Sequence, residues 1–398
     1  MVYLDHAATT PLRAEAREAW LHATETLGNP SSIHGAGQAA RRVLEDARER
    51  LAATLDCDPI EVVFTSGGTE SVNLGITGLY RSRRESTGRT GIVAPTAEHH
   101  ATMDTLAWLH AHEVADVEWV PVDRDARVDL EAWRSAVDSG DAAVATLLAA
   151  NNEIGTLQPV VEASTACADA GVPLHLDAVG AFGHLPLSFR GIRAESGSRA
   201  GGLVALSVAA HKLGGPAGVG ALVVAREARI EPLVHGGGQQ RGLRAGTQDA
   251  AGAVAFAVAA ELAVAELDAE AARLGALRDR LEESVGAAIP EARISASSVE
   301  RLPGHVHLVL PDAQGDSMLL LLDTAGIAVS TGSACQAGTP EPSHVVLAMG
   351  LGQQAARSAL RLTLGRSTTT EDVDAVIRAL PDAYERARRA GMSSRVVR

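Results

Sequence analysis

The chain has 398 residues, 46% hydrophobic and 21% charged, a balance that excludes disorder and is long for a single domain. Asp and Glu outnumber Lys and Arg by 49 to 35, a net charge of −14, and only the short stretch 81–84 is rich in arginine, so no direct nucleic-acid binding is expected. No uninterrupted run of about 18 apolar residues, no charged-then-apolar start and three scattered cysteines, Cys57, Cys167 and Cys335, give the expectation of a soluble, cytoplasmic protein with free thiols and no membrane association.

In chain order, residues 35–55 carry Ala, Arg, Glu and Leu at helical spacing and predict an exposed amphipathic helix. Short β-rich runs follow at 60–65, 91–95, 117–122, 142–149, 172–179, 203–208 and 219–225, with helical patterns such as 70–80 and 160–170 between them. Strands alternating with helices point to a mostly parallel sheet covered on both faces. Residues 56–58 and 196–202 read as surface loops. Beyond Gly246 an alanine-rich helical stretch at 250–288 could run from a large domain into a smaller α+β unit. That unit holds strands at 305–310, 327–330 and 359–364, a helix at 316–324 and a last helix from about residue 370; the N-terminal dozen residues join it.

Four constellations could carry chemistry. Thr65-Ser66-Gly67-Gly68-Thr69-Glu70 lies between a strand and a helix, where free backbone amides suit a phosphate, although an ordinary turn reads the same way. Asp177, in His175-Leu176-Asp177-Ala178-Val179, ends an apolar strand at the place where open α/β sheets bind ligands; a helix-capping Asp is the alternative. Lys212, in Ala210-His211-Lys212-Leu213-Gly214-Gly215-Pro216, is flanked by small and apolar residues that disfavour its charge, the condition for a Schiff-base lysine. Most lysines are solvated surface charges, yet turn, carboxylate and lysine together match the needs of pyridoxal phosphate, whose pyridine nitrogen an Asp can hold. Lastly, Cys335 sits among small residues in Thr331-Gly332-Ser333-Ala334-Cys335-Gln336-Ala337-Gly338, an exposed setting for a reactive thiol. Cys57, between Asp56 and Asp58, and Cys167, on a helical pattern, read as inert, and no cysteine has ligand spacing for a metal.

Taken in order, the strings resemble the cysteine desulfurases of the class V aminotransferase superfamily, of the iron–sulfur and nitrogen-fixation type. They are Tyr3-Leu4-Asp5-His6-Ala7-Ala8-Thr9-Thr10-Pro11, Gly28-Asn29-Pro30-Ser31-Ser32-Ile33-His34, the turn at 65–71, Glu98-His99, Asn151-Asn152-Glu153-Ile154-Gly155, Ala210-His211-Lys212, the stretch 236–248, the stretch 332–346 and the stretch 359–366. They cover nearly the whole chain. The resemblance implies an α/β pyridoxal-phosphate fold of type I. A large cofactor-binding domain (15–258) would hold a mostly parallel seven-stranded sheet, and a small α+β domain (1–14 and 259–398) would carry the cysteine loop.

The resemblance also implies roles. Lys212 would hold pyridoxal 5'-phosphate covalently and remove the substrate's α-proton; His99 would stack on the ring and assist proton transfer; Asp177 would bind the pyridine nitrogen. Gly68, Thr69 and His211 would contact the phosphate, with Thr247 reaching it from the other subunit of a homodimer. Asn152 and Arg361 would hold the substrate carboxylate, Arg361 through its planar fork. Cys335 would take sulfur from L-cysteine as a persulfide, leaving L-alanine, and pass it to an acceptor protein in iron–sulfur assembly, tRNA thiolation, DNA modification or secondary metabolism. A selenocysteine lyase or other β-eliminating enzyme, and a non-catalytic sulfur-relay subunit, are the rival readings. Three positions depart from the family pattern: Gly180 replaces a Gln that bonds the ring hydroxyl, Ala209 replaces a Ser that contacts the phosphate, and His6 replaces an Asn. A short insertion lies around 193–202. At roughly 0.5–3 kcal/mol per lost hydrogen bond, the expected cost is on the order of ten- to a thousandfold in cofactor affinity, a functional but leaky site.

Overall fold

The seven β-rich runs meet in one sheet. The computed structural model describes residues 1–332 and 342–396. It opens with a two-residue strand, β1 (Val2–Tyr3), and helices α1 (Ala14–Thr24) and α2 (Gly35–Leu55). The sheet comprises β2 (Val62–Thr65), β3 (Gly91–Pro95), β4 (Asp116–Val120), β5 (Ala142–Leu148), β6 (Pro173–Asp177), β7 (Gly202–Ala209) and β8 (Gly220–Val224). Helices α3 (Gly68–Thr87), α4 (His100–Glu113), α5 (Leu130–Val137), α6 (Val160–Asp169) and α7 (Phe189–Glu195) lie between them.

The spatial order is β2-β8-β7-β6-β5-β3-β4, and β8 alone runs against its neighbours. The inner strands are buried along their whole length, so they read as continuous apolar runs rather than alternating ones. The reversal of β8 has a simple cause: residues 210–219 are too few for the helical crossover that a parallel return needs. Lys212 lies on that short return, in a single 3-10 turn at Ala210–Lys212.

The chain continues through α8 (Ala250–Ala288), β9 (Arg293–Ile294), β10 (His305–Val309), α9 (Gly315–Thr324), β11 (Ile327–Ala328), α10 (His344–Ala348), α11 (Gly352–Arg357), β12 (Ala359–Thr363) and α12 (Thr370–Val396). Strand β10 pairs antiparallel with both β9 and β12, and β1 pairs with β11. Most buried apolar side chains fall into two clusters. The larger surrounds the central sheet and includes Ala253, Phe256, Ala257 and Ala260 of α8; the smaller joins Leu274, Leu277 and Leu281 of the same helix to Leu4, β10 and β12.

Several expectations need correction. Helix α8 is by length and composition apolar enough to cross a membrane, which a search for one uninterrupted apolar run misses because Glu261 and Glu266 break the run in its first half. Here it packs instead against α1 and α2. The run at 60–65 begins as a 3-10 turn, Pro59–Glu61, fixed by Pro59 and by Glu61 accepting the Asp58 amide at 2.8 Å. Residues 196–202 are not wholly a surface loop: Ser196 is buried, its hydroxyl shares hydrogen bonds with Ser164 and Ser198, and Gly202 opens β7. Helices α1, α4, α5 and α7 went unpredicted.

Helix α3 lies close on the sheet because Gly75 has no side chain. A Cβ there would stand 2.5 Å from the ring of His175, which bridges three strands through Thr146 (3.0 Å) and Ser207 (2.8 Å). Gly75→Ala therefore gains about 1 kcal/mol of helix propensity but incurs an overpacking cost of about 1–3 kcal/mol against a pinned ring. A lower urea midpoint is the expected result.

Candidate active site

Parallel strands bring their carboxyl ends to one rim of the sheet. From that rim emerge Gly68 after β2, His99 after β3, Asn152 after β5, Asp177 at the end of β6 and Lys212 after β7. They surround a cavity of about 290 Å³. Its other walls are the N-terminal loop at His6–Ala8, Leu274 of α8, the 302–305 stretch leading into β10, and Arg361 and Thr363 of β12. Eight of the ten expected site residues line it: Gly68, Thr69, His99, Asn152, Asp177, His211, Lys212 and Arg361. Thr247 is exposed and does not line it, and Cys335 lies outside the described residues.

The start of α3 is built for an anion. Gly67 offers no side-chain cap, so the first-turn amides face the cavity end of the helix. Gly68 permits the close approach: a Cβ would lie 2.8 Å from Val179 and 3.5 Å from Ala209. Glu70 is turned aside, accepting the Ser66 amide at 2.8 Å and Arg244 Nε at 2.9 Å.

Asp177 is the buried charge at the centre. Its Oδ1 accepts the Val179 amide at 2.9 Å, so it belongs to a local turn and caps no helix. Burial raises its pKa to about 6, the Val179 amide and the Lys212 charge opposing that rise. Behind it, Glu98 is buried too. One oxygen accepts the amide of Leu148, the residue paired with Asp177 across β5 and β6, and the Thr102 hydroxyl lies beside the carboxyl. Burial, reinforced by the Asp177 charge, pushes Glu98 up to about 8.

His99 caps α4, its Nδ1 accepting the Ala101 amide at 3.0 Å. That bond places the proton of the neutral ring on Nε2, and burial with the nearby Lys212 charge lowers its pKa to about 4. Lys212 Nζ donates to the carbonyls of Ala7 and Ala8. Arg361 is buried; Nη1 donates to Asn152 O at 3.0 Å and Nη2 to Asp5 Oδ1 at 2.8 Å, while Nε has no partner among the described residues. A guanidinium has five N–H groups, so donors remain for a carboxylate; Asn152 can add its Nδ2 donor, its Oδ1 being an acceptor that has no partner among the described residues.

Sequence reading singled out neither His184 nor His305, both of which line the cavity, and it took Glu98 and Glu153 only as parts of motifs. No spacing pattern marks His184 or His305. His6, the departure noted above, is buried against Gly365, where a Cβ would overlap its ring, and bonds Thr10 Oγ1 at 2.7 Å.

The residues present fit pyridoxal phosphate. A buried carboxylate gains from a pyridinium cation, an uncapped helix start from a phosphate, and the lysine amine is within the same cavity. Residues 2–376 match the aminotransferase class-V family, and the chain belongs to it. It is 47% identical over 397 residues to an IscS-like cysteine desulfurase of Mycobacterium tuberculosis, spanning 99% of each chain. Among solved structures it superposes on a NifS-like protein with a TM-score of 0.86 at 33% identity, over 96% of this chain and 99% of that one. On SspA in complex with cysteine the TM-score is 0.76 at 29% identity, over 92% and 99%.

Two predictions follow from this geometry. The folded pKa of Glu98 lies above its ordinary 4.5, so between about pH 4.5 and 8 the folded state binds the extra proton and stability falls as pH rises. Glu98→Gln should match the wild type in urea unfolding of cofactor-free protein at pH 4 and exceed it at pH 9. At Gly180 a Cβ would meet only Ala150 O, 3.9 Å away. Gly180→Gln should therefore fit and restore one hydrogen bond, lowering the Kd for pyridoxal phosphate by roughly 2- to 12-fold in a spectroscopic titration.

Proposed function

We propose that this chain is a pyridoxal-phosphate-dependent cysteine desulfurase that converts L-cysteine to L-alanine and holds the sulfur as a persulfide on Cys335. The observation that carries this reading is the convergence of the buried Asp177, Lys212, the open start of α3 and Arg361 on one cavity. Full-length similarity to cysteine desulfurases supports it.

Asp177 holds the pyridine nitrogen, the amides at Gly68 and Thr69 with His211 hold the phosphate, and Lys212 Nζ makes the covalent link. Bound there, the cofactor supplies a sink for the electron pair left on the substrate Cα. Arg361 and Asn152 take the substrate carboxylate, which aims the Cα–H bond at the Lys212 amine. That amine would take the Cα proton, and His99 carries a proton on Nε2 that it can lend to the reacting group. The Cys335 thiolate then forms an S–S bond to the substrate sulfur while the substrate Cβ–S bond breaks. The bonding pair stays on Cβ, which takes up one proton, and Lys212 returns the other to Cα, so that alanine is formed.

The acceptor is a protein, a scaffold or a thiolation enzyme, and the enzyme works in the cytoplasm as a homodimer. The exposure of Thr247 away from the cavity supports its serving the partner's phosphate site. The two hydrophobic clusters support a division into residues 15–258 and residues 1–14 with 259–398.

Purified protein should be yellow, and Lys212→Ala should abolish both the absorption band and alanine formation. Cys335→Ser should keep the band and lose cysteine-dependent alanine formation; undiminished turnover in that variant refutes the role given to Cys335.

A further inference from the structure

Glu153 is buried, 1% exposed, in the turn that follows β5. The turn is closed by Gly155 N donating to Asn151 O at 2.8 Å, and the Glu153 amide donates to Asn151 Oδ1 at 3.0 Å. Among the described residues no cation pairs with its carboxylate. A buried carboxylate without a countercharge is costly, and neither binding the cofactor nor holding the substrate accounts for it.

Its contacts lie at the two ends of the stretch 333–341. At one end, Ser343 Oγ donates to Glu153 Oε2 at 2.5 Å and accepts the Val346 amide at 3.1 Å, which starts α10. At the other, Gly332 packs directly on the carboxylate: a Cβ would stand 2.6 Å from Oε2 and 3.0 Å from the carboxyl carbon, and φ is +80°. Gly332 is tied further to the substrate side, its amide donating to Ser330 Oγ at 3.2 Å, and Ser330 exchanges backbone hydrogen bonds with Arg361 at 2.7 and 3.1 Å. The residue before Glu153 is Asn152, whose carbonyl accepts from Arg361. One turn thus touches the substrate anchors and both flanks of the cysteine-bearing stretch.

We propose that Glu153 is a positioning residue that joins Gly332 to Ser343 and thereby fixes the two anchor points between which Cys335 lies in the sequence; this rests on the reading of Cys335 as the sulfur acceptor. The bond from a hydroxyl to a buried carboxylate is charge-assisted and stronger than its neutral counterpart. The Glu153 carboxylate contacts neither of the side chains that would hold the substrate, Asn152 and Arg361, so its loss acts more on the sulfur-transfer step than on binding.

The test uses holoenzyme with Glu153→Ala, Glu153→Gln and Ser343→Ala. A misplacement of about 1 Å can cost on the order of 100-fold, so kcat for alanine formation should fall by up to about 100-fold in Glu153→Ala, and less in the other two. The cofactor absorption band should be retained, with the KM for L-cysteine within about twofold, the signature of a step after binding. The rate of Cys335 alkylation by iodoacetamide, read by peptide mass spectrometry, should change in the same order. Unchanged kcat and alkylation in Glu153→Ala and Ser343→Ala overturn the proposal, as does a loss confined to cofactor content. Should Glu153→Ala fail to fold, the near-isosteric Glu153→Gln and the small Ser343→Ala decide on the same readouts. Cys335→Ser separates the two readings. If it keeps full alanine formation, the acceptor role fails, while alkylation in the Glu153 variants still decides whether this residue places the thiol.

Discussion

The molecule turns on a buried carboxylate at the end of a parallel strand. Asp177 lies at the rim because β6 ends there, and β6 is central because each flanking crossover returns in the same direction. Removal from water makes its charge unfavourable by itself, so the surroundings are arranged to receive a cation. The Val179 amide and the Lys212 charge offset that cost, and the Asp177 charge in turn raises Glu98 behind it. The amides of α3 add a fixed positive edge without a titratable group, which lets phosphate bind over a wide pH range.

In the proposed function, Arg361 has the matching part on the opposite wall. It is buried on β12 and already engaged by Asp5 and by the Asn152 carbonyl, so it is oriented before a substrate arrives. Such prior engagement reduces the entropy lost on binding. Because Asp5 follows β1, the N-terminal loop that supplies Ala7 and Ala8 to Lys212 also steadies the guanidinium. Cofactor floor and substrate wall are thereby joined through a few residues at the start of the chain.

Much of this was legible in the sequence, for physical reasons. Strands buried on both faces make unbroken apolar runs, and glycine-rich turns after them mark where the backbone must approach a ligand; Gly68, Asp177 and Lys212 could be located that way. Helix α4 was not legible because its apolar residues spread around the axis, and α5 and α7 are too short to show a period. His184 and His305 reach the cavity only through tertiary packing, with Gly155 clearing the space for His305, and no local pattern encodes that. The burial of Arg48 was equally hidden: it lies over the Phe64 ring and donates to Val62 O at 2.6 Å, although its helix reads as exposed.

Helix α8 spans 39 residues, about 58 Å at 1.5 Å per residue, and contributes side chains to both hydrophobic clusters. The two rows on this rod follow the order of the chain: Ala253, Phe256, Ala257 and Ala260 pack on partners that mostly precede them, and Leu274, Leu277 and Leu281 on partners that mostly follow them. A nick near its middle would therefore leave each row with its own core, Leu4 being the buried residue separated from the leucines. What such a cut would remove is the stiff connection itself, so the rod serves as a spar that holds two separately packed cores at one spacing.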